Sequence, residues 1–126
     1  MIKEKIIKIN GKDYQVKFPN VGQFIAIESM KLSFTKGKYV QMSLGDLNNN
    51  VFTLDMADAV SYLSILIPDL KKEFAPEGWW EMDLHSAHLL VSVYKKQFVP
   101  WFLPLMKDLY KYDEDDEVED NAEPNE

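Results

Sequence analysis

The residues whose types and spacing best suit metal binding or catalysis are two histidines. A serine lies between them, and carboxylates stand nearby. His85 and His88 stand three positions apart, which places two imidazoles on one face of a helix and suits a metal ion. The sequence has no cysteine, so Asp83 or Glu81 would have to complete the ligand set. The positive N-terminus of a helix also disfavours cationic histidine. We therefore expect histidines that face solvent or pack against a helix, and no metal site.

The residue pattern indicates neither a catalytic serine nor a phosphate-binding loop. Ser86 lies between the two histidines, but it lacks the sharp turn that exposes a catalytic serine. Neither of the glycine-rich phosphate-binding patterns occurs in the sequence. The carboxylates outside the C-terminal stretch stand at expected helix caps and in loops. We expect no enzyme and no cofactor.

Large aromatic side chains are stronger candidates, and the chemistry that they favour is binding. Trp79 and Trp80 stand together in a loop, and tryptophan is enriched at interface hot spots. Adjacent residues in an extended loop point in opposite directions, so we expect one tryptophan buried and the other available to a partner. The alternative is a core role for one or both, as a lid over the hairpin or the helices.

A second aromatic cluster lies in the longest periodic segment, which runs from Leu84 to Tyr112. Apolar residues recur there at helical spacing, and Asp83 is the expected N-cap. Pro100 and Pro104 each remove a helical hydrogen bond, so the helix should kink or restart near them. We expect this bend to gather four side chains into a partner-binding surface: Phe98, Trp101, Phe102 and Met106.

The first eighteen residues have the pattern of a β-hairpin. Asn10-Gly11 is the preferred pair for a type I′ turn, and the arms are Lys3–Ile9 and Lys12–Phe18. A two-residue loop places Ile9 opposite Lys12. The same register puts Lys8 opposite Asp13 and collects an apolar face on the other side of the hairpin. That face comprises Ile7, Ile9, Tyr14, Val16 and Phe18. An isolated hairpin is only marginally stable, so the face must pack on helices or join another sheet.

Three helical segments are expected after the hairpin, at about 20–33, 54–74 and 84–111. Asn20 followed by Gln23 is typical of a capping box at the start of the first helix. The sequence thus predicts an α+β fold that is mainly α, in which the N-terminal β-hairpin packs on a small bundle of three to five helices.

The connections between these helices are predicted less uniquely. Tyr39–Leu44 suits a short strand and one and a half helical turns equally well, and Gly45–Asn50 has the composition of a polar loop. Pro68 should bend or interrupt the second helix. No internal repeat is evident in the sequence.

Size and charge divide the chain into a body and a tail. The 126 residues are 46% hydrophobic, which suits one globular domain over residues 1–112. Residues 113–126 contain nine acids and no base, whereas residues 1–112 hold 12 acids and 14 lysines. So acidic a stretch cannot bury enough apolar surface to fold, and we expect a disordered acidic tail. Its role is either to keep the body in solution or to attract a basic partner surface.

Several partner classes are excluded by the same composition. A body with a net charge near +2 and no lysine cluster is a poor nucleic-acid binder. The N-terminus lacks the apolar core of a signal peptide, and no run of about 18 uncharged apolar residues exists. We expect a soluble, cytoplasmic protein with a protein partner and no membrane partner, and self-association is left open.

The order of these parts resembles a known family. The hairpin reads Ile-Asn-Gly-Lys-x-Tyr-x-Val-x-Phe from Ile9 to Phe18, and Val21–Glu28 reads Val-Gly-Gln-x-Ile-x-Ile-Glu. Followed by helices and an acidic end, this layout resembles the tail assembly chaperones of long-tailed bacteriophages. The resemblance implies a small, non-enzymatic, mainly helical protein that coats the tape-measure protein, recruits tail-tube subunits and, if phage-encoded, acts in the host cytoplasm.

Two other functions stay open beside this resemblance. The first is a small structural or adaptor protein that is retained in a virion or complex and adds the hairpin edge to a partner's sheet. The second is an inhibitor that uses its acidic tail as a nucleic-acid mimic, which the confinement of the charge to one end of the chain disfavours. All three are binding functions and need no active site.

Overall fold

The computed structural model describes residues 3–39, 44 and 47–122, and it describes only the backbone of 47–51 and 112–122. The hairpin strands are β1 (Glu4–Ile9) and β2 (Lys12–Lys17). The helices are α1 (Val21–Phe34), α2 (Leu47–Leu66), α3 (Leu70–Phe74), α4 (Leu84–Val93) and α5 (Val99–Ala122). A 3₁₀ turn at Trp79–Glu81 precedes α4, and a π-helical turn at Tyr94–Phe98 joins α4 to α5. The predicted α+β, mainly α architecture is confirmed.

The hairpin has the turn and the register that the sequence predicts. Asn10 and Gly11 both take positive φ angles, 51° and 81°, as a type I′ turn requires. Ile9 lies opposite Lys12, and Lys8 lies opposite Asp13 with 3.5 Å between Nζ and Oδ1. The apolar face is buried, and its most enclosed members are Ile7, Ile9 and Val16.

α1 begins at the capping box that the sequence predicts. The Gln23 N–H donates to Asn20 Oδ1 at 2.8 Å, and the Asn20 N–H donates back to Gln23 Oε1 at 3.0 Å. These two bonds satisfy backbone donors that the first helical turn leaves unpaired. The helix ends at Phe34, and Lys36 and Gly37 follow it with positive φ angles.

The predicted start of the second helix near residue 54 is wrong. α2 begins at Leu47, so its first turn includes Asn48–Asn50, which the sequence analysis assigned to a polar loop. A helix that is held by its buried half extends at a cost of a few tenths of a kcal/mol per asparagine, so composition alone misplaces its start. Pro68 interrupts the predicted segment 54–74 as expected: α2 stops at Leu66, and α3 continues the segment to Phe74. Residues 40–43, part of the ambiguous Tyr39–Leu44 segment, lie outside the described residues.

The last helical segment changes its winding one turn before Pro100. The N–H of Val99 donates to the carbonyl of Tyr94, five residues back, as in a π-helix. A proline ring clashes with the carbonyl four residues before it, and the wider turn ahead of Pro100 accommodates that conflict. The chain therefore passes the prolines without a break, and Pro104 lies inside α5. The disorder predicted for residues 113–126 stays a prediction, since only the backbone of 113–122 is described.

The core forms where α2 meets α1, α4 and the π-helical turn, and the hairpin joins it through the contact between β1 and α4. α2 supplies the most buried stretch of the chain, which includes Ala57, Ala59, Val60, Leu63 and Leu66. β2 is attached to α3 through Glu73, whose carboxylate accepts a hydrogen bond from the Tyr14 hydroxyl at 2.8 Å and pairs with the Lys12 ammonium. The hairpin therefore packs on helices, as its apolar face requires.

A single glutamine of the π-helical turn holds the outer edge of β1. The Lys8 N–H donates to Gln97 Oε1 at 2.8 Å, and Gln97 Nε2 donates to the Lys8 carbonyl at 2.8 Å. The carboxamide thus offers the edge the same donor and acceptor that a neighbouring strand would offer. This contact joins two parts of the chain that are far apart in the sequence.

The Gln97→Ala variant should lose about 1–2 kcal/mol of unfolding free energy, because two backbone groups lose their partners. Hydrogen exchange at the Lys8 amide should also accelerate. Gln15→Ala is the matched control, since the Gln15 amide donates only to the exposed Glu4 carboxylate at 2.8 Å; its effect should stay within about 0.5 kcal/mol. Unchanged exchange at Lys8 in Gln97→Ala would contradict this role.

Candidate functional site

Phe98 and Phe102, two of the predicted partner-binding residues, belong to the core. Phe98 is 0% exposed and Phe102 is 3% exposed, and their ring centroids stand 4.8 Å apart. Both rings pack on Tyr62 of α2, at centroid distances of 5.3 and 5.1 Å. The expectation that these two side chains bind a partner is therefore wrong. Both side chains face inward because an aromatic cluster this large is more stable against α2 than against water.

Trp101 and Met106 lie at the margin of this core. Trp101 is partly buried, and its ring stands 5.8 Å from that of Phe98 in an edge-on arrangement. Met106 is also partly buried against the core cluster, but it lines a groove on the outside of α5 as well. Of the four residues predicted at the bend, Met106 thus lines this groove.

The two tryptophans divide as the loop argument predicts. Trp79 packs partly buried against the core, whereas Trp80 is 59% exposed. The Trp80 ring stacks on Phe34 at the end of α1, with 5.2 Å between centroids. The groove that Met106 lines includes neither Trp79 nor Trp80.

An apolar groove lies between the start of α1 and the middle of α5. We call it the α1–α5 groove, and its volume is about 340 Å³. Its described lining consists of Phe18, Pro19, Asn20, Val21, Phe24, Ile25, Met106, Leu109 and Tyr110. None of these nine side chains carries a charge. The Asn20 side chain is already engaged in the α1 cap, so the groove is apolar in its chemistry.

Helical geometry explains why α1 presents apolar side chains to solvent. Ile27 is the fully buried residue of this helix, and it faces the core. Val21, Ile25 and Leu32 stand four and seven positions apart, so they share another face. They are 77%, 60% and 48% exposed. α1 is therefore apolar on two sides, and one of them has no cover within the described residues.

α5 supplies the opposite wall by the same spacing. Met106, Leu109 and Tyr110 follow the i, i+3, i+4 pattern of one helical face. Leu109 is 47% exposed and Tyr110 is 57% exposed. A smaller hollow next to the groove shares Phe18 and Leu109 with it and includes Lys3 and Asp108. Apolar surface that is shared by two helices in this way is typical of binding sites.

A partly buried ionic cluster joins α1 to α2. Lys31 Nζ lies 2.9 Å from Glu28 Oε2 and 3.8 Å from Asp58 Oδ1, and the Lys31 side chain is only 11% exposed. The ammonium also lies 4.8 Å from the centroid of the Tyr62 ring. The Tyr39 hydroxyl donates to Asp58 Oδ1 at 2.7 Å. This cluster joins three parts of the chain and gives α1 a fixed position.

Burial dominates the electrostatics of this cluster. It raises the pKa of Asp58 above the ordinary value of an aspartate, although Tyr39 and Lys31 counteract the shift. Burial also raises the pKa of the Tyr39 hydroxyl, and the hydrogen bond to Asp58 adds to that rise. Burial lowers the pKa of Lys31, but the hydrogen bond to Glu28 and the neighbouring acidic groups outweigh it, so the net shift is upward.

The two histidines line a separate, open hollow with Phe52 and Leu84. The His88 ring lies 6.2 Å from that of Phe52, so this histidine contacts α2. Among the described residues, no group of three potential ligands is arranged to hold a metal ion. Ser86 and Asp83 serve the α4 cap: the Ser86 N–H and hydroxyl donate to the Asp83 carboxylate at 2.9 and 3.1 Å. These bonds lower the pKa of Asp83.

The binding surface predicted from the sequence lies at the aromatic bend and does not include five residues that line the groove: Val21, Phe24, Ile25, Leu109 and Tyr110. A signal for them was present, because α1 carries more apolar residues than one buried face can use. Which apolar side stays uncovered depends on contacts between α1 and residues about eighty positions later.

Comparison of the chain with protein-family models, with curated proteins and with solved structures finds no match. In the described part of the chain, no helix combines the length and the apolar content needed to cross a bilayer.

Proposed function

We propose that the protein is a non-enzymatic assembly factor that binds apolar surface of a client protein in the α1–α5 groove. The observation that carries this proposal is the groove itself: two helical faces with uncharged linings, whose most exposed apolar side chains are Val21 and Ile25. By the family resemblance, the client is a tape-measure or tail-tube protein and the site of action is the host cytoplasm.

The energetics of the groove support binding over a purely structural role. A side chain such as Ile25 contributes little to folding stability while it is 60% exposed. Covering it would release about 25 cal/mol for every Å² of apolar surface removed from water. A client that seats on α1 and α5 together recovers this free energy at both walls. The acidic end of the chain, with nine acids in residues 113–126, would keep so apolar a surface in solution.

The test is co-expression with a tape-measure protein from the same genome, with the soluble fraction of that client as the readout. Ile25→Asp should reduce client solubilisation at least tenfold, because a carboxylate in the groove must be desolvated on binding. The fold should survive, since Ile25 is mostly exposed. Ile6→Asp is the matched control: Ile6 is 54% exposed but lies on the outer face of the hairpin.

The outcomes separate groove binding from hairpin binding. Client solubilisation that is lost with Ile25→Asp and kept with Ile6→Asp supports the groove. Solubilisation that survives Ile25→Asp contradicts it. Circular dichroism of both variants checks that each is folded.

The adaptor function is the second candidate, and the hairpin is the feature that favours it. The Gln97 contact at Lys8 shows that the Lys8–Asp13 pair points its backbone groups outward, so β2 presents the same groups at Asp13. A partner strand could add there, whereas Gln97 occupies the edge of β1 at Lys8. An adaptor would be found in finished particles at a fixed copy number, whereas a chaperone would be absent from them.

A further inference from the structure

We infer that the occupant of the α1–α5 groove is an amphipathic helix whose basic end lies against the acidic stretch 113–122. This inference rests on the proposed function and specifies the chemistry of the client. It combines the shape of the groove, the charge of the chain that continues from its wall, and the arrangement of that charge on a helical backbone.

The groove has the form that a third helix requires. Each wall is a helical ridge with residues at i, i+3 and i+4: Val21, Phe24 and Ile25 on α1, and Met106, Leu109 and Tyr110 on α5. Ridges of this kind accept the side chains of another helix between them. A small ligand would need several convergent polar groups to orient it, and the described lining offers little beyond the Tyr110 hydroxyl. The geometry therefore favours a helix with an apolar face.

Charge continues directly from the α5 wall. The backbone of α5 runs past Tyr110 to Ala122, and the stretch 113–122 contains seven acids and no base. The first of them, Asp113, stands about one helical turn beyond Tyr110. An occupant that lies along α5 therefore reaches this charge with one of its ends, and Lys or Arg at that end would be attracted to it.

The charge pattern of the acidic stretch 113–122 also disfavours a helix in the absence of a partner. Asp113 and Glu117 stand four positions apart in the sequence, as do Asp116 and Asp120, and like charges at this spacing destabilise a helix. Negative charge near the C-terminal end of a helix further opposes its dipole. Cationic side chains of an occupant would relieve both repulsions, so binding and helicity of this stretch should rise together.

A second copy of this chain is a poorer occupant of the α1–α5 groove, because it does not complement the acidic stretch 113–122. Pairing of two α1–α5 grooves about a two-fold axis would use the same face of both molecules. Each α5 would then bring its own seven acids, and a body with 14 lysines against 12 acids offers them only a weak net attraction. The basic amphipathic helix offers a stronger attraction, and dimerisation becomes an outcome that the experiment must separate.

The test is selection from a display library of 18-residue peptides, with apolar residues fixed at i, i+3, i+4 and i+7 and the other positions random. The full-length protein should enrich peptides that carry Lys or Arg clustered at one end. The Ile25→Asp protein should fail to enrich the same peptides. A second variant keeps the groove and neutralises residues 113–122 by Asp→Asn and Glu→Gln at every acid; it should bind the enriched peptides about tenfold more weakly at low salt.

The outcomes distinguish this inference from the proposed function. Peptides that depend on Ile25 but show no basic bias, or that bind the neutralised variant equally well, would overturn the inference and leave groove binding intact. Enrichment that is equal for the wild-type protein and for Ile25→Asp would overturn both this inference and the proposed groove binding. Sedimentation that shows a dimer broken by Ile25→Asp would assign the groove to a second copy of the chain and overturn the inference.

Discussion

Phe98→Ala should lower the free energy of unfolding by about 3–5 kcal/mol, enough to remove much of the stability of a domain this size. Phe98 is 0% exposed and stands at the centre of an aromatic cluster, with ring centroids at 5.4 Å (Tyr94), 5.3 Å (Tyr62) and 4.8 Å (Phe102). Alanine would leave a cavity that this rigid set of rings cannot close. Urea unfolding followed by circular dichroism measures the loss.

Trp80→Ala is the control for this prediction. Trp80 was also predicted to bind a partner, but unlike Phe98 it is 59% exposed, and it has a stacked contact with Phe34. Its removal should cost about 1 kcal/mol. If both substitutions cost the same, Phe98 is not the centre of the core. A third measurement, peptide binding in the groove, should be unaffected by Trp80→Ala.

Lys31→Met should cost about 2–3 kcal/mol at pH 7, because it leaves the half-buried Asp58 without its ammonium partner. Methionine keeps the apolar stem of the lysine side chain, so the effect isolates the charge. The variant also loses the contact with the Tyr62 ring. The estimate lies below that for a fully buried pair, since Lys31 retains 11% exposure and Asp58 24%.

The pH dependence of this loss has a defined sign. Burial raises the pKa of folded Asp58 above its unfolded value, and Lys31 opposes that rise. A raised carboxyl pKa gives stability that is fully present below the unfolded pKa and is lost as pH increases through the folded pKa. Without Lys31 the pKa of folded Asp58 is higher still, so the variant loses more stability than wild type as the pH increases to 7. The difference between Lys31→Met and wild type should therefore be small near pH 4 and largest at pH 7.

Lys95→Met is the matched control for the charge effect. Lys95 Nζ pairs with Asp55 Oδ2 at 2.7 Å, and the Asp55 side chain is 23% exposed, as partly buried as that of Asp58. The Lys95 side chain is 54% exposed, so its ammonium is better solvated than that of Lys31. Its removal should cost less than about 1 kcal/mol. Equal losses for Lys31→Met and Lys95→Met, or a Lys31→Met loss that does not change between pH 4 and 7, would contradict the role assigned to the buried cluster.

The features that the sequence predicts well are determined by neighbours along the chain. Asn10-Gly11 selects one turn type, and the alternation of Ile7 and Ile9 selects one register, so the hairpin is predicted residue by residue. The caps at Asn20 and Asp83 likewise depend on residues three positions away. Pro68 divides the middle helix segment because its backbone lacks a donor. Each of these outcomes needs only local geometry.

The binding surface needs information that local patterns do not contain. Phe98, Phe102 and Met106 look alike in an apolar helical pattern, yet the first two pack on Tyr62 and the third lines the groove. The difference depends on the winding of the chain before Pro100 and on the position of α1, which the Lys31–Asp58 contact fixes from a distance. A helical pattern identifies apolar faces, but the packing of the other helices decides which of them stays uncovered.

The π-helical turn has a consequence for how the chain tolerates changes in length. Such a turn contains one residue more than an α-helix needs, and each residue advances a helix by about 100° around its axis. A one-residue deletion between Val93 and Val99 would therefore be absorbed, because the turn can rewind as α-helix and leave Met106, Leu109 and Tyr110 facing α1. A further residue in this turn has no such outlet. It would rotate everything downstream of the turn by about 100° around the helix axis.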